Sequence, residues 1–285
     1  MDLIGQIIVF GTFKGCMYAL IAIGLTLIFA VAGVLNLAHG SFFMLGAYIS
    51  YSLINSWHIP MVPAILLSAF IVGIIGVLMD IFLIRPMRGS HSYVLVLTMA
   101  VAFAVQEITI IICGLQGRNL PHLIEGSTQV LGATVSWHQI AVMVITLIVL
   151  VVLWLILTKT KYGVAALAVS MDKTGARFVG VEPEKIFILV MFVSAFIAAL
   201  AGAIIAPVLS ITPTMWDMPL IKAFVVVVIG GLGSVLGSVL AAFLLGWVET
   251  FVGFVISPNA TGILSLVILI GFLLFRPSGI LGRRL

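Results

Sequence analysis

Charge is scarce in this chain. Of 285 residues, 13 are Lys or Arg and 9 are Asp or Glu, 8% of the sequence, against 63% hydrophobic and a mean hydropathy of +1.38. Soluble domains carry about 25% charged residues, so the composition excludes a soluble globule. It points to an all-α polytopic membrane protein in which each crossing takes ~20 apolar residues. Other absences narrow the chemistry. No Gly-x-x-x-x-Gly-Lys-Ser/Thr loop occurs, and no glycine is followed directly by lysine, so the usual phosphate cradle for ATP is excluded. Cys16 and Cys113 lie in apolar stretches and suit core packing, and no His/Cys cluster has metal spacing. There is no Gly-x-Ser-x-Gly elbow and no arginine ladder. Catalysis, a metal and a cofactor are therefore not expected. The net charge of +4 does not indicate a nucleic-acid partner, because the basic residues cluster at span ends. The N-terminus lacks a basic leader and Asp2 has the wrong sign, so the segment is expected to stay in the mature protein.

What is present is a series of apolar segments: 7–31, 42–57, 59–84, 93–113, 138–157, 186–209, 220–255 and 261–275. They predict one transmembrane domain, 1–285, of about eight hydrophobic segments, two of them broken helices. The first break is Asn36-Leu-Ala-His-Gly, uncharged on both sides, with Asn36, His39 and Gly40 as its polar or flexible members. The second is Gly230-Gly-Leu-Gly-Ser, with Gly230, Gly231 and Gly233. Irregular backbone survives in a membrane only where it lines a cavity or packs on protein. Breaks in two halves of a chain point to a translocation site between them. His39 has two readings, a satisfied structural hydrogen bond, which is the commoner, or a substrate contact.

Few other polar residues interrupt the spans. Lys14 reads as snorkelling to the interface. Asp80 lies one turn from a span end, within reach of headgroups or Arg85, and Glu107 is either a functional carboxylate or a hydrogen-bonded structural one. Trp57, Trp137 and Trp216 fall at predicted outer ends, as an aromatic belt would place them. Residues 128–136 alternate around Gly132 and read as a small hairpin.

The longest polar interruption of the C-terminal half, Lys159 to Lys185, holds Lys159, Lys161, Lys173, Arg177 and Lys185. With Arg85, Arg88, Arg276, Arg283 and Arg284, these put ten of the thirteen basic residues on one face, the cytoplasmic one, while Arg118 faces the other. The loop's interior predicts a helix over 164–169 and a second turn capped by Asp172 and stopped by Gly180, with Pro183 opening the next span. A bent helix pair of this kind either pushes against a soluble partner or lies on the lipid surface as a connector.

Four ordered blocks resemble one family. Ala19-Leu-Ile-Ala-Ile-Gly-Leu-Thr-Leu-Ile-Phe with Val34-Leu-Asn-Leu-Ala-His-Gly-Ser-Phe-Phe-Met-Leu-Gly-Ala-Tyr48 is similar to the N-terminal signature of ABC permeases for branched-chain amino acids. The Gly163 to Val181 loop, the Lys222 to Ser234 block and the closing Arg276 to Gly282 resemble the rest of that pattern. Permeases for urea and short amides look similar, and a stand-alone facilitative transporter or channel for a small neutral solute is the other alternative. The resemblance implies an inner-membrane permease subunit of an importer, paired with a second permease (a paralogue), two cytoplasmic ATP-binding subunits and an external solute-binding protein. It further implies that Gly163, Ala166, Leu167, Asp172, Ala176, Phe178 and Gly180 form the coupling helix that docks on the ATPase. Two features depart from the pattern. Ser41 stands where many relatives carry an acidic residue, and Val164, Leu167 and Ala168 stand where many carry arginines.

Overall fold

The computed structural model describes residues 2–276 and 279–281. The chain is mainly helical: α1 (Asp2–Ala32), α2 (His39–Asn55), α3 (Met61–Met79), a π-helical turn (Asp80–Ile84), α4 (Arg85–Met87) and α5 (His91–Cys113) come first. A two-stranded hairpin, β1 (Ser127–Val130) and β2 (Ala133–Ser136), precedes α6 (Trp137–Lys159), α7 (Lys161–Met171) and α8 (Lys173–Phe178). Then come α9 (Pro183–Ile205), α10 (Asp217–Gly230), α11 (Val235–Val255) and α12 (Ala260–Phe275). Helices dominate because a bilayer offers the backbone no hydrogen-bond partner. Among the described residues, six segments are long and apolar enough to cross it: α1, α3 with its continuation to Met87, α5, α6, α9 and α11.

The most apolar windows of α1 and α9 are each 72% buried, those of α5 and α6 only 17%, so the former are the centre of the bundle and the latter its rim. Small residues let α2 press onto α9. A Cβ on Gly46 would lie 2.1 Å from the Ala199 carbonyl oxygen, and one on Gly202 would lie 1.8 Å from that of Phe43.

α1 serves as a ruler, with 31 residues spanning about 46 Å. Near its start, Gln6 Nε2 donates to the Gly132 carbonyl in the hairpin (3.3 Å); at its end, Lys173 Nζ donates to the Ala32 carbonyl (3.3 Å). The hairpin and the 159–185 loop therefore lie on opposite faces, and α1 begins on the hairpin's face. With the basic loop in the cytoplasm, α1 starts outside, a point the sequence left open. The tail returns to the inner face, where the Ile280 and Leu281 amides donate to the carbonyls of Ile229 and Gly230 (2.8 and 3.1 Å). Arg283 and Arg284, like Pro277, Ser278 and Gly282 of the closing motif, lie outside the described residues. In sealed cells, cysteine at position 125 should react with an impermeant thiol reagent and cysteine at 173 should not; equal labelling would overturn this sidedness.

Two expectations need correction. The second interruption is not one broken span. α10 and α11 form an antiparallel hairpin, with Gly230 against Gly237 at the turn and Lys222 paired with Glu249 at the far end. Alongside the six long helices, α2, α10 and α12 are shorter, at 17, 14 and 16 residues, so the described residues do not resolve into eight equal crossings. Trp216 is not a belt residue either. It is 4% exposed; its indole N–H donates to Gln106 Oε1 (2.6 Å) and its ring stands edge-on to Phe103. Trp57 and Trp137 are exposed, as a belt requires.

Candidate functional site

The first break is built from local polar chemistry. After α1 ends, residues 33–38 leave helical geometry while Val34, Asn36 and Ala38 stay buried. Asn36 Oδ1 accepts the Ala38 amide (3.0 Å), turning the chain so that α2 can start at His39. That start sits about three turns back along α1, because His39 Nε2 donates to the Ile21 carbonyl (3.0 Å). The Ser194 hydroxyl, donating to the Gly24 carbonyl (2.7 Å), closes the other side of the ring. His39 is fully buried and its Nε2–H is satisfied by backbone, which matches its structural reading. Gly40 lets α2 meet the start of α10, since a Cβ there would lie 2.6 Å from the Trp216 carbonyl oxygen. Below the break is a cavity of about 20 Å³ bounded by Asn36, Asp80, Arg88, Phe187 and Met191, the size of one water.

The glycines of the second break have separate tasks. Gly230 admits α11, for its Cβ would lie 2.5 Å from the Gly237 carbonyl carbon. Gly231 (φ +101°) and Gly233 (φ +83°) make the reversal in backbone regions that side chains strain to enter, typically at ~1–3 kcal/mol each. Gly231→Leu should therefore abolish transport while the protein still reaches the membrane; full transport by that variant would remove the case for a tight reversal.

An acidic and basic cluster not brought together by sequence reading lies in the outer half. Lys222 Nζ contacts Glu249 Oε1 (2.5 Å) and Ser265 Oγ (2.5 Å), Tyr18 donates to Glu249 Oε2 (2.6 Å), and Ser265 also bonds Glu249. Tyr18, Lys222 and Glu249 of this cluster line a groove of about 890 Å³ bordered by α1, α10, α11 and the start of α12, whose lining also includes Ile21 and Phe43. Glu249 is the one acidic residue in the 236–255 run, so the rule that drew attention to Glu107 would have found it. Glu107 itself is exposed and accepts a hydrogen bond from Gln106 (3.3 Å).

At the inner face Arg88 ties the third span to α9. Its guanidinium contacts Asp80 (2.5 Å) and Glu184 (2.8 Å), and Arg85 also reaches Glu184 (3.2 Å). Asp80 thus pairs with Arg88 rather than with Arg85. The Arg88 guanidinium lies 4.3 Å from the centre of the Phe187 ring, and Lys173 Nζ lies 5.3 Å from the same ring. A contiguous set of contacts therefore joins α8, through Phe187, to the third span.

The loop between α6 and α9 folds by capping. Thr160 accepts the Gly163 amide (3.2 Å) to open α7, and Asp172 accepts the Thr174 amide (2.8 Å) to open α8. Gly180, at φ +84°, ends α8, with Gly180 N–H donating to Arg177 and Val181 N–H to Ala176 (both 3.0 Å). Gly163 packs on the end of α6, where a Cβ would lie 2.3 Å from the Ile156 carbonyl oxygen. Ala166, Val169 and Ala176 face the bundle. Turned outward are Val164, Leu167 (54% exposed), Met171 and Phe178 (87% exposed).

The model for branched-chain amino acid transport system permease components matches residues 7–273. The high-affinity branched-chain amino acid permease protein BraD of Pseudomonas aeruginosa is 31% identical, over 98% of this chain and 95% of its own length. LivH of Escherichia coli is 28% identical over 96% and 94%, and the probable LivH of Methanocaldococcus jannaschii 28% over 92% and 88%. No solved structure matches significantly.

Proposed function

We propose that this chain, which belongs to the family of branched-chain amino acid transport system permease components, lines the path of an ATP-driven importer for branched-chain amino acids and is driven through α7 and α8. It is a multi-pass inner-membrane transport subunit and not an enzyme. Hydrolysis belongs to partner subunits. In this reading the full assembly holds a second, paralogous permease, two ATP-binding subunits and an external solute-binding protein.

The observation that carries the reading is the exposed apolar face of α7 and α8 on the basic side of the membrane. A large unpaired apolar face rimmed by Lys161, Lys173 and Arg177 suits a protein partner. Movement of α8 would pass through Lys173 and Phe187 to Arg88 and so to the third span, a contiguous chain of contacts of the kind that couples distant sites. The outer groove and the inner cavity lie on either side of the His39–Ser194 packing, which supports an outward-open, inward-closed state. Gly163, Ala166, Asp172, Ala176 and Gly180 shape the coupling pair, while Leu167 and Phe178 make the contact. Cysteine at position 167 should cross-link to the ATP-binding subunit in the assembled complex, and ATP should change the yield. Absence of any cross-link would leave the loop a connector.

A further inference from the structure

We infer that Lys14 receives the carboxylate of the transported amino acid in the outer groove, an assignment that rests on the permease reading above. The groove is of small-molecule size, within the roughly 300–1,000 Å³ of ligand sites, at about 890 Å³. Its walls are mainly apolar, with Phe10, Phe13, Met17 and Phe254 suited to an aliphatic side chain. Its charge is unbalanced. Lys222 and Glu249 neutralise each other at 2.5 Å, and Tyr18 and Ser265 occupy the remaining face of the Glu249 carboxylate. Among the described residues Lys14 has neither an acidic partner nor a hydrogen bond, so the groove holds one cation in excess.

Depth makes that cation informative. Lys14 lies twelve residues, about 18 Å, along α1 from Asp2. α1 exceeds the ~30 Å hydrocarbon core by about 16 Å, so with the helix centred Lys14 is about 10 Å inside the core. A lysine held there against lipid is costly and characteristically faces a solute path. A cation on an apolar wall is complementary to the carboxylate end and the aliphatic tail of an amino-acid zwitterion, whose α-ammonium is then turned away from Lys14 toward the water of the groove. Lys14 then binds the carboxylate one helical turn from Tyr18, and the neighbouring Lys222–Glu249 pair, already satisfied, leaves that role to Lys14.

The test uses the full complex in sealed vesicles, in a Cys16→Ala, Cys113→Ala background with a reporter cysteine, Met17→Cys. An impermeant thiol reagent added outside should modify the reporter. Leucine should slow that modification, and leucinol, which lacks the carboxylate, should not. Adding Lys14→Gln should raise the leucine concentration for half-protection about tenfold or more, and Lys14→Arg should restore it. Equal protection by leucine and leucinol, or no effect of Lys14→Gln, overturns the inference. So does a reporter that never reacts, because lipid or a second permease then fills the groove, or a Lys14 effect seen only with anionic lipid, because a headgroup is then the ligand. ATP-driven leucine uptake by the parent complex in the same vesicles separates the two failures: uptake without leucine-specific protection sinks only the Lys14 assignment, and no uptake sinks the permease reading itself.

Discussion

Replacing Glu249 with glutamine should lower the unfolding free energy of the purified permease by about 3–5 kcal/mol, the usual cost of removing one partner from a buried ion pair. The pair is 13% exposed on the lysine side and 2% on the glutamate side, so little water is available to screen the orphaned ammonium. Glutamine keeps the shape and an acceptor for Tyr18 but cancels the charge that holds Lys222. Since domains are stable by only ~5–15 kcal/mol, the variant should lose much of its thermal resistance and abundance. Lys222→Met should be harmful for the mirror-image reason. The double variant, Lys222→Met with Glu249→Met, should be more stable than either single one, because no uncompensated charge remains. Additive losses in that cycle, measured by thermal unfolding, would show that the two charges are not coupled.

Leu167→Ala and Phe178→Ala should each weaken docking of the ATP-binding subunit by roughly ten- to a hundredfold. Burying such a side chain in a partner groove contributes ~1.5–3 kcal/mol, and each 1.4 kcal/mol is about tenfold in affinity. Phe178 is 87% exposed in the isolated chain, so almost all of its ring is available to be covered. Neither variant disturbs the bundle itself, because neither side chain is buried there. Asp172→Ala acts differently, removing the cap of α8 at a cost of ~1 kcal/mol and so loosening the contact surface. All three should lose substrate-stimulated ATP hydrolysis while still binding the external solute-binding protein. Unchanged ATPase association in all three would reduce α7 and α8 to a connector.

Much of this molecule could be read from its sequence, and the division follows the range of the forces involved. Asp172, Gly180 and Pro183 act on their immediate neighbours, so the ends of α8 and the start of α9 follow from capping chemistry alone. The first break was equally local, since Asn36 turns the backbone two residues on. The glycines at 230–233 announced a break but not its angle, and a reversal and a kink need the same residue. The packing of Gly230 on Gly237 and the pairing of Lys222 with Glu249, twenty-seven positions apart, fix the antiparallel hairpin. Trp216 misled for a related reason, because its partner Gln106 lies on another helix. Glu107 and Glu249 show the limit of counting charges in apolar runs: one faces outward on the rim helix α5, the other lies inside a four-residue cluster.

The central claim is that this chain transports only when an ATP-binding partner drives it through α7 and α8, and uptake of labelled leucine into proteoliposomes tests it most directly. The full assembly should accumulate leucine against its gradient with ATP, and should stop doing so with Leu167→Ala and Phe178→Ala combined. The permease alone should show no uptake. Gradient-driven leucine flux through the permease alone, undiminished by the paired alanines, would contradict the account and identify a stand-alone transporter.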